Sequence, residues 1–510
     1  MVLTTARLCR RLTCAALAAA AITASGCGSG GDEGPDPGVA EIAPANASLY
    51  ADAVLRPEGD QKAKLEDFLS AVLDTSDPGA KITDLIDQAF RKDGEDKTFA
   101  DDVDPWLGDR GGVFTVGFQD NPPAVAAVEA SDPDAGVRLL ESESKSTTDK
   151  DYNGVAYEID ENGDAFGAIG DFVAQGDETA FKAAIDASKG DSLADSERFN
   201  KAIGDVPSDA LASTYLDLHG LIEQTAVERN VPKNIVDEIV SKLGIGDSLV
   251  ASASAGDKSL GLDLGGLPES TADAPSELLA GLPSDAWLAV GAGNVGGRVN
   301  SLLKTIGEAG IPGVTGDTIA LGIEQQAGLD LRADITDWLG DAAVFVRGTD
   351  PSNLDGALVL ESKDDAAAAQ AMNDLRDAVQ QQGRGSPKPL ELGSGGNGFT
   401  LEDPAFAQPL NFVQQNGKVV IGYGDAATQA ALSPSKTLAK APGFTAASGS
   451  IGGGGPQFYV SAPEAVDLLA KDPNAKADPS FAKILPYLQR LAYITAGGAE
   501  GGLKIVVGAK

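Results

Sequence analysis

The chain has 510 residues and a formal net charge of −37, with 76 Asp and Glu against 39 Lys and Arg. So acidic a surface excludes nucleic acid and anionic lipid headgroups as partners, because both select a cationic face. One histidine and three cysteines, two of them within the first fourteen residues, leave no set of His and Cys ligands for a zinc site.

Residues 1–26 have a secretory design: Arg7, Arg10 and Arg11, an apolar run from Ala15 to Ile22, then Ala24-Ser25-Gly26 before Cys27. The run is too short to span a bilayer as a permanent helix, so it reads as a cleaved signal. Small residues ahead of Cys27 resemble the bacterial lipobox, which implies that Cys27 becomes diacylated and N-terminal; ordinary signal cleavage with a secreted product is the alternative. Acylated, Cys27 leaves the mature chain without a thiol for a disulfide, metal site or nucleophile. Residues 27–39 are Gly-, Asp- and Pro-rich and read as a flexible tether of about 20 Å. No later segment has eighteen consecutive apolar residues, so the lipid is the expected membrane attachment.

The first unit is expected over residues 40–264. It opens with a strand near Ser48 to Val54. Two amphipathic helices follow, carrying Leu65, Phe68, Leu69, Val72 and Leu73, then Ile82, Leu85, Ile86, Ala89 and Phe90, both at helical spacing. Asp104-Pro105-Trp106-Leu107-Gly108-Asp109 comes next. Asp104 and Pro105 suggest a helix start, and Gly108 a left-handed stop. Strands are expected at Val113 to Phe118 and Ala124 to Glu129, and a helix near Ala135 to Glu143. A hairpin is expected from Val155 to Asp160 and Ala165 to Ala174, turning at Glu161-Asn162-Gly163. A helix from Glu178 to Ala187, a strand Ala210 to Leu218, helices near Leu221 to Glu228 and Asn234 to Leu243, and a hairpin of Ser248 to Ala255 with Ser259 to Leu264 complete the unit. From Ala124 to Leu218 the order reads as a split βαβ arrangement.

Residues 265–281 read as a linker, and residues 282–510 repeat the order of the first unit. The stretch Thr336-Asp337-Trp338-Leu339-Gly340-Asp341 repeats the earlier one 232 positions on. Phe99 to Asp109 and Leu331 to Asp341 share five identities in eleven without a gap: Asp102 with Asp334, and the four Trp-Leu-Gly-Asp positions. That is an internal duplication, and Trp106 and Trp338 are expected to pack on the sheet. With the amphipathic helix before it, the apolar strand after it, and Pro44 to Tyr50 opening the unit, the motif resembles the bacterial domain of unknown function 3352 family. The resemblance covers most of residues 40–510. It implies a prokaryotic envelope setting and brings no catalytic or binding residue. The expected fold is α+β: two tandem homologous units, each a mainly antiparallel sheet with helices on one face. Gly383 to Gly398 reads as a disordered loop.

Candidate chemistry is sparse. Gly291-Ala292-Gly293-Asn294-Val295-Gly296 matches the dinucleotide fingerprint between a strand and a helix, but its counterpart in the first unit lacks glycine and no acidic strand end follows at the required distance. Ser433 to Lys436 and Ser142 to Lys145 match the SxxK spacing without companion motifs. His219 lies near Asp217 at a strand-to-helix junction. Asp160, Asn162 and Asp164 imitate a calcium loop with Ala165 where glycine belongs, and Asp101, Asp102 and Asp104 read as an acidic helix start. No catalytic residue, cofactor or metal is therefore expected. The expectation is a non-enzymatic binding or assembly module, lipid-anchored on the outer face of the cytoplasmic membrane, with an envelope protein or ligand as partner. A carrier for a lipid or other apolar ligand, and a hydrolase of envelope polymers using paired carboxylates, are the alternatives.

Overall fold

Runs of small, β-branched and aromatic residues bounded by glycine and asparagine become strands throughout the computed structural model. It describes residues 37–510 except 93, 95, 229–230, 234–240, 242–245, 268–275, 309–314, 328–329, 382–385, 391–395, 453–454 and 500–501. The signal segment, Cys27, most of the tether and the helix expected from Asn234 to Leu243 lie outside the described residues. The chain divides into two compact units, one built mainly from residues up to Leu267 and the other mainly from those after it.

In the first unit the strands are β1 (Ala47–Val54), β2 (Leu107–Val116), β3 (Ala124–Ala130), β4 (Thr147–Tyr152), β5 (Val155–Asp160), β6 (Asp164–Ile169), β7 (Phe172–Asp177), β8 (Ala212–Asp217), β9 (Ser248–Gly256) and β10 (Ser259–Gly265). They pair antiparallel in the spatial order 4-5-6-7-3-2-1-8-9-10. The helices are α1 (Gly59–Leu73), α2 (Pro78–Lys92), α3 (Pro133–Glu143), α4 (Glu178–Ala187), α5 (Glu197–Ile203) and α6 (Leu218–Glu228).

The split βαβ expectation is corrected in its strand count. Two turns were missed: Asn153-Gly154, both at positive φ, joins β4 to β5, and Gly170 at φ 59° breaks the expected long strand into β6 and β7. Four antiparallel strands therefore stand between α3 and α4. Tight turns join those four strands antiparallel, whereas residues 131–146, with α3, carry the chain from β3 across to β4, and residues 178–211, with α4 and α5, carry it from β7 to β8.

Helices cover both faces of the central strands, which corrects the expectation of one. On β3, Val125 and Ala127 join a core with Tyr50, Phe114, Phe181 of α4, Leu193 and Tyr215. The alternate residues Ala126 and Val128 join another with Ile86 of α2, Phe99, Trp106 and Leu140 of α3. Successive side chains of a strand point to opposite faces, so a nearly unbroken apolar strand needs cover on both.

The second unit contains β11 (Ala286–Ala292), β12 (Leu339–Arg347), β13 (Asp355–Ser362), β14 (Lys388–Pro389), β15 (Asn397–Leu401), β16 (Leu410–Gln415), β17 (Lys418–Tyr423), β18 (Phe458–Ser461), β19 (Leu491–Ala499) and β20 (Gly502–Ala509). Their antiparallel order is 14-15-16-17-13-12-11-18-19-20, the first unit's order with every number raised by ten. Its helices include α7 (Glu277–Gly281), α8 (Val295–Glu308), α9 (Gly316–Ala327), α10 (Asp365–Gln381) and α11 (Asp425–Leu432). β14 and the start of β15 fall within the stretch expected to be a disordered loop.

Two boundaries move. Val39 and Ala40 are fully buried in a 3-10 turn, Gly38–Glu41, so the tether ends before residue 38. Leu279 of α7 is 1% exposed in the second unit's core, so the last linker residues are part of that unit.

Candidate functional site

The duplicated motif is a structural staple in both units. A π-helical turn, Phe99–Val103, precedes the first copy, and Arg332–Thr336 precedes the second. The indole N–H of Trp106 donates to the carbonyl of Asp102 at 2.7 Å, and that of Trp338 to Asp334 at 2.8 Å. The same two aspartates use their carboxylates to accept the N–H four residues upstream, from Thr98 at 2.8 Å and Asp330 at 2.7 Å. Both indoles are buried against a helix, with α3 residues around Trp106 and α10 residues around Trp338. Asp104 is not the helix start expected of it: it closes the π-helical turn and holds Arg56 at 2.8 Å.

Gly108 and Gly340 lie in strands and are not left-handed stops. A Cβ on Gly108 would stand 2.6 Å from Cβ of Glu129, and one on Gly340 would stand 2.4 Å from Oε2 of Glu361. Those glutamates must come this close because they bind the neighbouring backbone. Glu129 accepts from the N–H groups of Asp109 and Arg110 at 3.3 and 3.1 Å, and Glu361 from Asp341 at 3.1 Å. Each glutamate lies twenty residues after the aspartate it serves, a spacing that could have been read from the sequence.

The two motif aspartates do different work. Asp341 accepts from Asn294 N–H at 2.9 Å and Glu277 N–H at 3.0 Å, capping the chain where α8 and α7 begin. The Asp109 side chain is 77% exposed, with Arg56 at 4.0 Å. This explains the glycine-rich stretch: Asp341 occupies the amide of Asn294 where a phosphate would bind, and Gly296 lets α8 approach the carbonyls of Thr336 and Leu339.

The other candidates are tied into the fold in the same way. Asp160 accepts from the N–H groups of Asn162 and Asp164 at 2.8 and 3.0 Å, closing its own turn. Asp217 holds Arg198 and caps Gly220 at 2.9 and 3.0 Å, while His219 lies 3.2 Å from Glu223 and 3.7 Å from Asp247. Ser142 donates to the Leu139 carbonyl and accepts from Lys97, and Ser433 ends α11. Among the described residues, no group of three or more His, Cys, Asp or Glu is placed to hold a metal ion.

Differences between the units lie elsewhere. On β2 three residues stand between the pairs Leu107 with Ala130 and Gly111 with Val128; on β12 only two stand between the corresponding pairs. Arg110 lies in that longer bulge. Its guanidinium binds the carboxylate of Asp52 on β1, which also accepts from the Ser213 hydroxyl on β8. Asp52 is 5% exposed. The register puts Gly291 at its counterpart on β11, so the fold does not require the charge. Beside this trio is a cleft of about 90 Å³ lined by Tyr50, Phe199, Asn200, Ile203 and Pro207. Burial pushes the Tyr215 hydroxyl, paired with Tyr50 across β1 and β8, up to about 12.

In the second unit a cleft of about 480 Å³ opens between α8 and α9, lined by Asn300, Leu303, Lys304, Thr315, Asp317, Arg332 and Asp337 among others. The first unit fills the matching corner with Ile82, Ile86 and Phe90 of α2 and with Phe99. Among the described residues, the corresponding core of the second unit contains none from α9, while Leu331, aligned with Phe99, is 8% exposed. Sequence reasoning passed over Asp52, Arg110 and Ser213, and also Arg332, Lys304 and Asp337. Asp337 and Arg332 fall in or beside the repeated stretch, but nothing there marks them out; only tertiary structure sets them around a cleft.

The class defined by these features is a mixed α+β protein built on antiparallel sheet and stapled by a tryptophan turn in each unit. The chain belongs to the family described as protein of unknown function DUF3352, whose model matches residues 11–504. No curated protein is detectably similar to it. Crystal forms IV, III and I of TP0453 are similar at 13%, 13% and 12% identity, covering 45% of this chain in each case and 81%, 80% and 77% of theirs. Their TM-scores of 0.24, 0.23 and 0.23 are too low to carry an argument.

Proposed function

We propose that this protein is a lipid-anchored envelope lipoprotein acting as a non-enzymatic binding or assembly module, made of two copies of one ancestral unit. One observation carries the reading: the units use the same strand order and the same tryptophan staple, yet differ where a cleft opens. Side chains the fold needs are present twice. Those it does not need, Asp52 with Arg110 and the charged lining between α8 and α9, occur once and border open space. A buried charge is costly to hold even when paired, so its presence in one unit alone suits a specific contact.

The lipid anchor rests on Arg7 to Cys27 in the sequence. Metabolic labelling with palmitate, followed by membrane fractionation, tests it: label is expected on the natural chain and none on Cys27→Ser. A Cys27→Ser chain that keeps its label would end that part of the reading. Cross-linking in intact cells and capture from detergent-solubilised membranes tests the binding role; recovery of no envelope partner or ligand by either unit would count against it.

The rival readings make separate demands. A carrier for an apolar ligand needs an apolar cavity, whereas both clefts described here carry charged or polar side chains. A hydrolase needs two carboxylates across a groove. Asp317 and Asp337 do line one cleft, but Arg332 holds Asp317 at 2.8 Å, an arrangement suited to charge pairing.

A further inference from the structure

We propose that the cleft between α8 and α9 binds a short zwitterionic peptide, its carboxylate facing Arg332 and its ammonium facing Asp337. The inference rests on the binding-module reading and names the ligand class for one of its clefts.

Size is the first argument. About 480 Å³ lies within the roughly 300–1,000 Å³ of small-molecule sites and suits a few peptide residues. In the first unit Ile82, Ile86 and Phe90 of α2 pack at this corner with Phe99; in the second, Leu331 takes the place of Phe99 and, among the described residues, none of α9 joins the core. The lining joins the buried Leu303 to both signs of charge, Lys304 and Arg332 with Asp317 and Asp337, together with the amide of Asn300 and the hydroxyl of Thr315.

Charge balance narrows the ligand. The chain as a whole carries −37, so a free anion is repelled at long range and a cation is drawn to the entire surface without preference. A zwitterion meets neither penalty, and a cleft lined by Arg332 and Asp337 can pair its two ends. The guanidinium of Arg332 now contacts Asp317, which is largely exposed. Exposed pairs of this kind contribute little, so a peptide carboxylate can exchange with Asp317 at small cost. Arg332 suits that role because its planar fork matches a carboxylate. The amide and hydroxyl then offer partners for a peptide bond between the charged ends.

The test is calorimetric titration of the full chain in detergent with tri-alanine. Its N-acetylated, C-amidated form and glycerophosphoethanolamine serve as comparison ligands. Tri-alanine is expected to bind, with affinity falling about tenfold in Asp337→Asn and in Arg332→Gln, both melting as the natural protein does, and the blocked peptide is expected to be silent. Equal binding of free and blocked peptide, preference for glycerophosphoethanolamine, or no heat at millimolar tri-alanine overturns the inference. Should tri-alanine fail while capture of an envelope partner persists, the ligand assignment falls and the binding-module reading stands.

Discussion

Gly136→Ala sets two known effects against each other. Gly136 is on α3, where a Cβ would stand 2.6 Å from Cγ2 of Val173 and 2.9 Å from the Trp106 ring carbons Cε3 and Cζ3. Helix propensity alone favours alanine by about 1 kcal/mol. Forcing a methyl into a packed core costs about 1–3 kcal/mol, and here both neighbours are themselves buried. The net expectation is destabilisation by about 1 kcal/mol. Chain equivalence sharpens the point: Ser131 N–H bonds the Trp106 carbonyl, and Lys363 N–H bonds the Trp338 carbonyl, both at 2.8 Å. That register matches Gly136 to Ala368, which is fully buried beside Trp338 in the second unit's core. One unit thus accommodates the methyl that the other excludes. Urea unfolding followed by circular dichroism, with hydrogen exchange over α3 to localise the effect, measures the difference. In a Trp106→Phe background, which removes the clashing ring atoms but leaves Val173 at 2.6 Å, Gly136→Ala should cost less than in the natural chain, giving a coupling above about 0.5 kcal/mol. A Gly136→Ala protein more stable than the natural one by the full propensity gain would refute the packing argument.

The two motif aspartates should respond unequally to removal. Asp341→Ala strips two N–H groups of their acceptor and should cost about 1–2 kcal/mol in thermal unfolding, while Asp109→Ala, at an exposed position, should stay within about 0.5 kcal/mol; equal losses would contradict the geometry. Asp334 has its carboxyl raised above the usual aspartate range by burial and by the nearby Asp374 and Asp330. A raised folded value means that the stabilising contribution is present at low pH and is lost as pH rises through that value. Asp334→Asn keeps an acceptor for Asp330 N–H and should therefore raise the melting temperature at pH 7, the gain shrinking as pH falls; a lower melting temperature at pH 7 would count against this.

Local pattern alone was enough for α1, α2, α4, the β9–β10 hairpin and the repeat of the tryptophan turn, because periodicity, turn residues and identity are written in neighbouring positions. The α+β class and the family followed from the same signals. Tertiary structure decided the rest. The nearly unbroken apolar run of β3 gave a strand but could not say that α3 and α4 would cover opposite faces. Gly108 looked like a turn residue; it and Gly340 are glycines because Glu129 and Glu361, twenty-one residues on, press against them. The extra residue on β2 shows only against its partner strand, and with it the meeting of Arg110 and Asp52. Sequence spacing reports contacts within one element; clefts arise from differences between what two distant elements contribute, and that subtraction can be made only once the chain is folded.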